Sequence, residues 1–214
     1  MASQPHDFPD NELVFTLNWF QHGARMVWDQ MIPQIDPATI LEVGCFEGAS
    51  TCYLIETLSQ HHPVEIHCVD SWEGGIEHQD NDMAAVAARF QHNVRVALAR
   101  TPHPVTLHVH QGFSDTRMIG LLAAGKVNYF DFIYIDGSHQ APDVLSDAVL
   151  GFKLLKVGGV MAFDDYIWQE TLPYGKDYLR CPKPAIDAFV NINMRKLDIV
   201  PAPIGQFYVR KLSD

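Results

Sequence analysis

The stretch Ile40-Leu-Glu-Val-Gly-Cys-Phe-Glu-Gly-Ala-Ser50 decides how this chain folds. It starts as an apolar run, carries two glycines four residues apart, and ends in the small polar residues typical of a helix start. This pattern predicts a buried strand that turns sharply into a helix, because glycine permits a tight turn and a close backbone approach. Ser50 and Thr51 fall where the first free helical N–H groups need partners, so we expect a small polar molecule at this turn.

The turn lacks the features of the common nucleotide-binding loops. It contains neither Gly-Lys-Ser/Thr nor a third glycine in the spacing Gly-x-Gly-x-x-Gly. This argues against a nucleoside triphosphate or a nicotinamide dinucleotide as the ligand. Glycines with the observed spacing also occur in turns that bind no ligand, so the rest of the chain has to decide between these alternatives.

The composition favours one globular domain that binds a small molecule. The 214 residues are 47% hydrophobic and 19% charged, enough for one sizeable core, and we expect a single domain over residues 1–214. The net charge of -11 and the lack of a Lys/Arg cluster disfavour nucleic acid, because the phosphate backbone requires a basic face. A small-molecule partner is favoured, and self-association into a homo-oligomer stays open.

Cysteine usage and the lack of targeting segments indicate a soluble cytoplasmic protein. The four cysteines show no C-x-x-C spacing, and we interpret them as small core residues in a reducing compartment rather than disulfides or zinc ligands. Residues 1–7 lack a charged-then-apolar signal pattern, and no apolar run reaches membrane-spanning length. We therefore expect no membrane as a partner.

The chain before the glycine turn is predicted to be a helical cap. Residues 12–35 carry apolar side chains at helical spacing, interrupted by Gly23, which predicts one or two helices. We divide the domain accordingly into an N-terminal cap over residues 1–36 and an α/β core over residues 37–214. The cap covers either the sheet edge or the ligand mouth, and core packing explains most of its apolar side chains.

A second strand, Val64–Asp70, also ends in an acid. In doubly wound sheets ligands lie beyond the carboxyl ends of the strands, which places Asp70 where it can accept hydrogen bonds from ribose hydroxyls. The alternative is an acid that caps a loop. Trp72 follows and either lies against an adenine ring or fills a small core of its own loop.

Two adjacent strands are predicted in the second half of the chain. Residues 130–136 form a near-continuous apolar run, typical of a central parallel strand that is buried on both faces. A helix is expected to follow to about residue 156, and Gly158-Gly159 is expected to end it. The next strand then covers residues 160–163.

Three acids, Asp136, Asp164 and Asp165, stand at the carboxyl ends of these two strands. Packed together, they repel one another and raise each other's pKa unless a cation binds them. A hard divalent ion such as Mg²⁺ resolves that conflict and leaves coordination positions open for substrate oxygens. The alternative is that the acids cap helices or bind loop amides, with Asp165 as the structural member of the pair.

A histidine, His139, lies three residues after Asp136 at the same predicted edge. The near-neutral pKa of histidine suits the removal of a hydroxyl proton. Because a histidine just before a helix can also cap it, a structural role is the alternative.

Together these motifs resemble the class I S-adenosylmethionine-dependent methyltransferases. Among them, the divalent-metal-dependent small-molecule O-methyltransferases of the catechol and macrocin (sugar) types are most similar. The resemblance covers residues 40–166 and rests on segments 41–48, 135–139 and 158–165 together with Asp70. It implies a Rossmann-like methyltransferase fold, a doubly wound, seven-stranded, mostly parallel sheet with helices on both faces. It also implies S-adenosylmethionine as cofactor and a divalent metal, usually Mg²⁺.

The resemblance assigns roles to individual residues. Cofactor-binding residues are expected in the turns after three strands: Glu42, Gly44, Phe46, Gly48, Ser50, Asp70, Trp72, Gly112, Phe113 and Ser114. The expected metal ligands are Asp136, Asp164 and Asp165, and the expected catalytic residues are His139 and Asp136. The catechol type carries Asn in place of Asp165 and Lys in place of His139, so this chain is closer to the sugar-modifying type.

The expected activity is metal-assisted O-methylation of a small-molecule hydroxyl, on a sugar, diol or phenol, with His139 as the base. Residues 166–184 are rich in Tyr and Pro, follow the acids directly, and are expected to form a lid over the substrate. Two alternatives stay open: a metal-independent methyltransferase, and a protein that binds S-adenosylmethionine without catalysis.

Overall fold

The computed structural model describes residues 8–75, 78 and 81–214. The helices are α1 (Trp19–His22), α2 (Arg25–Ile35), α3 (Ala49–Leu58), α4 (Met83–Leu98), α5 (Ser114–Ala123), α6 (Ala141–Leu154) and α7 (Lys183–Asn193). The strands are β1 (Thr39–Val43), β2 (Val64–Asp70), β3 (Val105–Gln111), β4 (Phe130–Ile135), β5 (Leu155–Phe163), β6 (Leu197–Val200) and β7 (Phe207–Lys211). A 3-10 turn covers Tyr178–Arg180.

The strands form one seven-stranded sheet in the order β3-β2-β1-β4-β5-β7-β6. The β3, β2, β1, β4 and β5 strands run parallel, whereas β7 is antiparallel to both β5 and β6. Because β1 pairs with β2 on one side and β4 on the other, the winding direction reverses between β1 and β4. The predicted doubly wound, mostly parallel sheet is confirmed.

Two hydrophobic cores lie on opposite faces of this sheet. Helices α2, α3 and α4 cover one face through Trp28, Leu54 and Phe90. Helices α5, α6 and α7 cover the other, with Met118 and Phe189 among the buried side chains. Strands β1 and β4 are covered on both faces, which explains why both read as apolar runs in the sequence.

The helical prediction for residues 12–35 is correct only in its second part. Helices α1 and α2 begin at Trp19 and Arg25, and the chain before them is not helical. The side chain of Asn93 on α4 accepts a hydrogen bond from the backbone N–H of Val14 (2.7 Å) and donates one to its carbonyl oxygen (2.9 Å). Since these backbone groups are paired with α4, this piece of chain does not need a helix to satisfy them.

The prediction that Gly158 and Gly159 end a helix is wrong. Helix α6 ends before them, and both glycines lie inside β5. The register between β4 and β5 shifts between Phe130 and Phe132, and Gly158 has a φ of +88°. A strand irregularity of this kind favours glycine as strongly as a helix end does, so the sequence signal was ambiguous.

The four cysteines are buried and free, as the sequence predicted for small core residues. Within the described part of the chain, no helix is long and apolar enough to cross a membrane. The expectation about a signal pattern concerns residues 1–7, which lie outside the described residues.

Candidate active site

The glycine loop (residues 44–48) connects β1 to α3 and touches the end of β4. Gly44 and Gly48 have φ values of +85° and +82°, in the left-handed region that favours glycine. A Cβ atom on Gly44 would lie 1.9 Å from the carbonyl oxygen of Asp136, so no side chain fits there. The backbone N–H of Asp136 donates to the carbonyl of Val43 (2.8 Å), which holds the two strand ends together.

Glu42 lies beneath this loop and joins β1 to α3. The hydroxyls of Ser50 and Thr51 donate hydrogen bonds to its carboxylate, and Glu42 is fully buried. Burial raises the pKa of Glu42 to about 7, although the two hydroxyl hydrogen bonds oppose the shift. We expected Glu42 and Ser50 to contact a cofactor. In the structure their side chains instead bind each other below the loop, because both point into the core.

The glycine loop is bordered by the uncapped N-terminus of α3 and by a group of aromatic rings. No side chain caps the N-terminus of α3 at Gly48, and such a helix end attracts negatively charged groups. The ring of Phe46 stacks on His78 and lies against Trp19, with ring centroids 5.2 Å apart in each pair. Phe46 and Gly48 are therefore placed where a ligand of this loop can reach them.

Asp70, at the end of β2, organises the glycine loop. Its Oδ2 atom accepts hydrogen bonds from the backbone N–H groups of Cys45 (2.8 Å) and Phe46 (2.9 Å), and its Oδ1 accepts one from Trp72 (2.7 Å). These bonds match the loop-capping alternative. A carboxylate oxygen can accept a second hydrogen bond, so the contact with ribose hydroxyls stays a prediction.

Trp72 fills the core of its own loop. It is buried, packs on the ring of Phe90 at a centroid distance of 4.8 Å, and donates from Nε1 to the carbonyl oxygen of Phe46 (3.0 Å). The structure therefore favours the packing alternative for Trp72 over an exposed position against adenine.

The turn after β3 lies beside Asp70. The backbone N–H of Gly112 donates to the carbonyl oxygen of Asp70 (2.8 Å), and Ser114 begins α5. The side chain of Phe113 is 62% exposed, at the same edge of the sheet as the glycine loop. Contact of Gly112, Phe113 and Ser114 with the cofactor stays a prediction, and Phe113 has the surface for it.

An acid–histidine group, made of Asp136, His139 and Asp165, lies at the carboxyl ends of β4 and β5. Their potential metal-ligating atoms all lie within 4.8 Å of one another. The Nε2 atom of His139 is 2.8 Å from Oδ2 of Asp165, and its ring packs on Trp168 at a centroid distance of 4.2 Å. Two strands and the turns that follow them thus bring together an oxygen and nitrogen donor set that can bind a divalent cation.

Asp164, which the sequence predicted as a third metal ligand, is not part of this group. Its carboxylate accepts hydrogen bonds from the hydroxyl of Tyr134 and from the backbone N–H of Asp165 (2.8 Å). Tyr134 continues a buried chain of hydrogen bonds through Gln206 and Tyr208 to Trp28, within the core on the α2 side of the sheet. The third member of the group is instead His139, which the sequence predicted as the base.

The like charges of Asp136, Asp164 and Asp165 repel one another at the carboxyl ends of β4 and β5. Burial raises the pKa of Asp136 well above its usual range, and the charges of Asp164 and Asp165 raise it further. Burial and the charge of Asp165 likewise raise the pKa of Asp164. A bound cation would relieve this repulsion, so the donor set and its electrostatics both fit a divalent metal.

Sequence reasoning missed the residues that fasten the N-terminal segment to the glycine loop. The carboxylate of Glu47 accepts hydrogen bonds from the backbone and hydroxyl of Thr16 (2.7 and 2.6 Å) and pairs with Arg89 on α4. Asn93 donates to the carbonyl oxygen of Glu47 (2.8 Å). An acid between two loop glycines was a visible signal for Glu47, whereas nothing local marked Asn93.

The predicted lid, residues 166–184, is fastened at several points. Arg180 forms an ion pair with Glu170 (2.7 Å), and the hydroxyl of Tyr166 donates to Asp187 on α7 (2.7 Å). Tyr174 and Tyr178 are exposed. Because Trp168 packs on His139, this segment directly adjoins the acid–histidine group, and its action as a lid stays a prediction.

Comparison with known protein families gives one domain match. Residues 41–166, more than half of the chain, match a family model described as a methyltransferase domain. An uncharacterized protein of Acanthamoeba polyphaga mimivirus is 25% identical over 159 residues, 72% of this chain and 60% of that protein. The chain thus spans about 60% of the length of this relative.

Solved structures share the fold at low sequence identity. The O-methyltransferase from Bacillus cereus in complex with S-adenosylhomocysteine is similar with a TM-score of 0.60 and 17% identity, covering 95% of this chain and 84% of that chain. The MycE methyltransferase from the mycinamycin biosynthetic pathway, in complex with Mg, S-adenosylhomocysteine and mycinamycin VI, is similar with a TM-score of 0.57. The two chains are 14% identical, and the match covers 93% of this chain and 51% of MycE.

Proposed function

Because the chain belongs to the methyltransferase family whose domain model it matches, we propose that it transfers the methyl group of S-adenosylmethionine to a small-molecule hydroxyl, on a sugar, diol or phenol. One observation carries this proposal: the acid–histidine group adjoins the glycine loop, since Gly44 packs against the backbone of Asp136. A methyl donor bound at the loop would lie next to groups able to bind and deprotonate a hydroxyl.

S-adenosylmethionine fits the chemistry of the glycine loop. Its carboxylate suits the uncapped N-terminus of α3, and its ribose hydroxyls suit Oδ1 of Asp70. Its adenine suits the exposed ring of Phe113. The Bacillus cereus enzyme and MycE, both in complex with S-adenosylhomocysteine, support this assignment.

A divalent cation, Mg²⁺ in our proposal, would be held by the carboxylates of Asp136 and Asp165, whose repulsion it relieves. Such an ion supplies a positive charge that orients the acceptor oxygen and lowers the pKa of its hydroxyl. Asp164 would act indirectly, by holding the backbone of Asp165 in place. The presence of Mg in the MycE complex supports the proposal of a divalent metal.

His139 is the residue we propose as the base. A proton taken up by its imidazole would be stabilised by the Asp165 carboxylate, which lies 2.8 Å from Nε2. Packing against Trp168 restricts the orientation of the ring. Most of the rate acceleration would come from positioning and charge, because the sulfonium of the cofactor supplies the reactive methyl group.

A methyl-transfer assay tests the proposal directly. Labelled S-adenosylmethionine is incubated with a panel of sugars, diols and phenols, in Mg²⁺ and in EDTA. We expect a methylated product that disappears on chelation and returns when Mg²⁺ is restored. Turnover that persists in EDTA would identify a metal-independent methyltransferase, and binding of S-adenosylmethionine with no turnover of any acceptor would identify a binding protein.

The compartment we propose is the reducing cytoplasm. All four cysteines are buried and free, and a reducing environment keeps thiols in this state.

A further inference from the structure

A second group of metal-ligating side chains lies on β3, an outermost strand of the sheet, and on its neighbour β2. Glu65 and His67 belong to β2, and His108 and His110 belong to β3. Because His67 pairs directly with His108 and alternate residues of a strand share a face, these four side chains project to one side of the sheet. We call them the histidine cluster.

The ligand atoms of this cluster already converge. The Oε1 atom of Glu65 is 2.7 Å from Nε2 of His67 and 3.6 Å from Nε2 of His108. The available ligand atoms of these three residues all lie within 4.8 Å of one another. His67 is almost fully buried, whereas the His108 side chain is 43% exposed, so an ion can enter from solvent.

The protonation states are those that a metal requires. Burial raises the pKa of Glu65, but hydrogen bonds from His67, Tyr129 and Lys126 outweigh it and bring the pKa down to about 2. Burial lowers the pKa of His67 to about 4, so its imidazole is neutral at pH 7. An ionised carboxylate and a neutral imidazole can both donate electron pairs without first losing a proton.

His110 fixes the orientation of His67. Its Nε2 atom lies 2.9 Å from Nδ1 of His67, and the two rings are stacked. Without a metal, the Nε2–H of His67 donates to Glu65. A metal bound at Nε2 would replace that proton, and the His67 proton would then lie on Nδ1 and be donated to His110, which directs the Nε2 lone pair toward the ion between Glu65 and His108. A second hydrogen bond of this kind to a ligating histidine raises metal affinity in known sites.

We propose that Glu65, His67 and His108 bind a transition-metal ion such as Zn²⁺, at a site separate from the acid–histidine group. Imidazole nitrogens favour Zn²⁺ over Mg²⁺, and three protein ligands with solvent in the remaining position is a common zinc arrangement. The cluster is held by β2 and β3, whereas the acid–histidine group follows β4 and β5, so the two sites can be tested separately.

Lys126 is the cation that competes for this position. Its Nζ atom lies 3.1 Å from Oε1 of Glu65 and 3.6 Å above the ring of Tyr129. A metal ion bound to Glu65 has to displace this ammonium group from the carboxylate. Removing the lysine charge should therefore tighten metal binding. If the cluster served only as a structural ion pair, the same change would weaken the local structure and would not increase metal affinity.

The experiment is a titration of the full chain with Zn²⁺ by calorimetry and with Co²⁺ by visible absorption. It is done in an Asp136→Asn, Asp165→Asn background, which removes the carboxylates of the acid–histidine group. We expect one ion per chain. His108→Ala and Glu65→Gln should each weaken binding by more than about tenfold, and Lys126→Met should tighten it by about two- to fivefold.

The control is His61→Ala, which removes an exposed histidine outside the cluster and should leave the affinity unchanged. Circular dichroism of each variant confirms folding, and the exposed position of His108 makes its variant the most secure test. No binding in the background protein, or equal affinity for His108→Ala and His61→Ala, would overturn the proposal. A Lys126→Met variant that binds more weakly would equally contradict it.

Discussion

Replacing Gly44 by alanine should separate the strand ends on which the candidate site depends. Two costs add at this position. The φ of +85° places a non-glycine residue in the left-handed region, at a cost of about 1–2 kcal/mol. The new Cβ atom would also lie 1.9 Å from the carbonyl oxygen of Asp136, and overpacking of this kind costs about 1–3 kcal/mol more.

Gly125 offers a matched control for the backbone strain alone. Its φ of +83° is nearly the same, and no heavy atom lies within 4 Å of a Cβ built on it. Gly125→Ala should therefore lower the free energy of unfolding by about 1–2 kcal/mol, and Gly44→Ala by about 2–5 kcal/mol. Urea unfolding followed by tryptophan fluorescence measures both values.

Activity separates the two variants further. Relief of the clash at Gly44 has to move the glycine loop away from Asp136, and a displacement of about 1 Å between reacting groups costs about a hundredfold in rate. Gly125→Ala should keep the wild-type turnover in the methyl-transfer assay. If both variants lost equal stability and both kept full activity, the contact between Gly44 and Asp136 would not hold the site together.

Further predictions concern the metal, the buried acid and the lid. Asp136→Asn should abolish Mg²⁺-dependent turnover, whereas His139→Ala should lower kcat steeply and leave Mg²⁺ affinity, measured by calorimetry, within a few-fold. Because the pKa of Glu42 rises from 4.5 to about 7 on folding, its contribution to stability is complete below pH 4.5 and is lost as pH rises through 7. Unfolding measured across this range should therefore show a smaller decline with pH in Glu42→Gln than in wild type, and equal slopes would contradict the buried position. Arg180→Ala removes the ion pair to Glu170 within the lid and should raise KM for the acceptor more than KM for S-adenosylmethionine, and an unchanged acceptor KM would argue against a lid.

Local sequence patterns predicted the fold well because the central strands are buried on both faces. A run such as residues 130–135 is apolar except for Asp131 near its start, and each central strand is followed by a turn with glycine or an acid. The order of these elements leaves few topologies, since parallel strands need right-handed crossovers. Where a glycine pair had two local explanations, at Gly158 and Gly159, the pattern could not choose between a helix end and a strand irregularity.

The contacts of the N-terminal segment were beyond sequence reasoning for a different reason. Val14 and Asn93 are 79 positions apart, and Thr16 and Glu47 are 31 apart. No local periodicity records such pairs. The apolar spacing in residues 12–35 predicted helix throughout, and the part that departs from it is bound by polar side chains of α4 and the glycine loop.

The sequence by itself determined an α/β sheet, a glycine turn after β1, and a set of acids and a histidine after β4 and β5. Only the tertiary structure decided which of these side chains meet. Asp164 and Asp165 are neighbours in the chain, but consecutive side chains at a strand end point in different directions, and Asp165 has a φ of +54°. As a result Asp164 turns toward Tyr134, while Asp165 joins His139 and Asp136 beside the glycine loop.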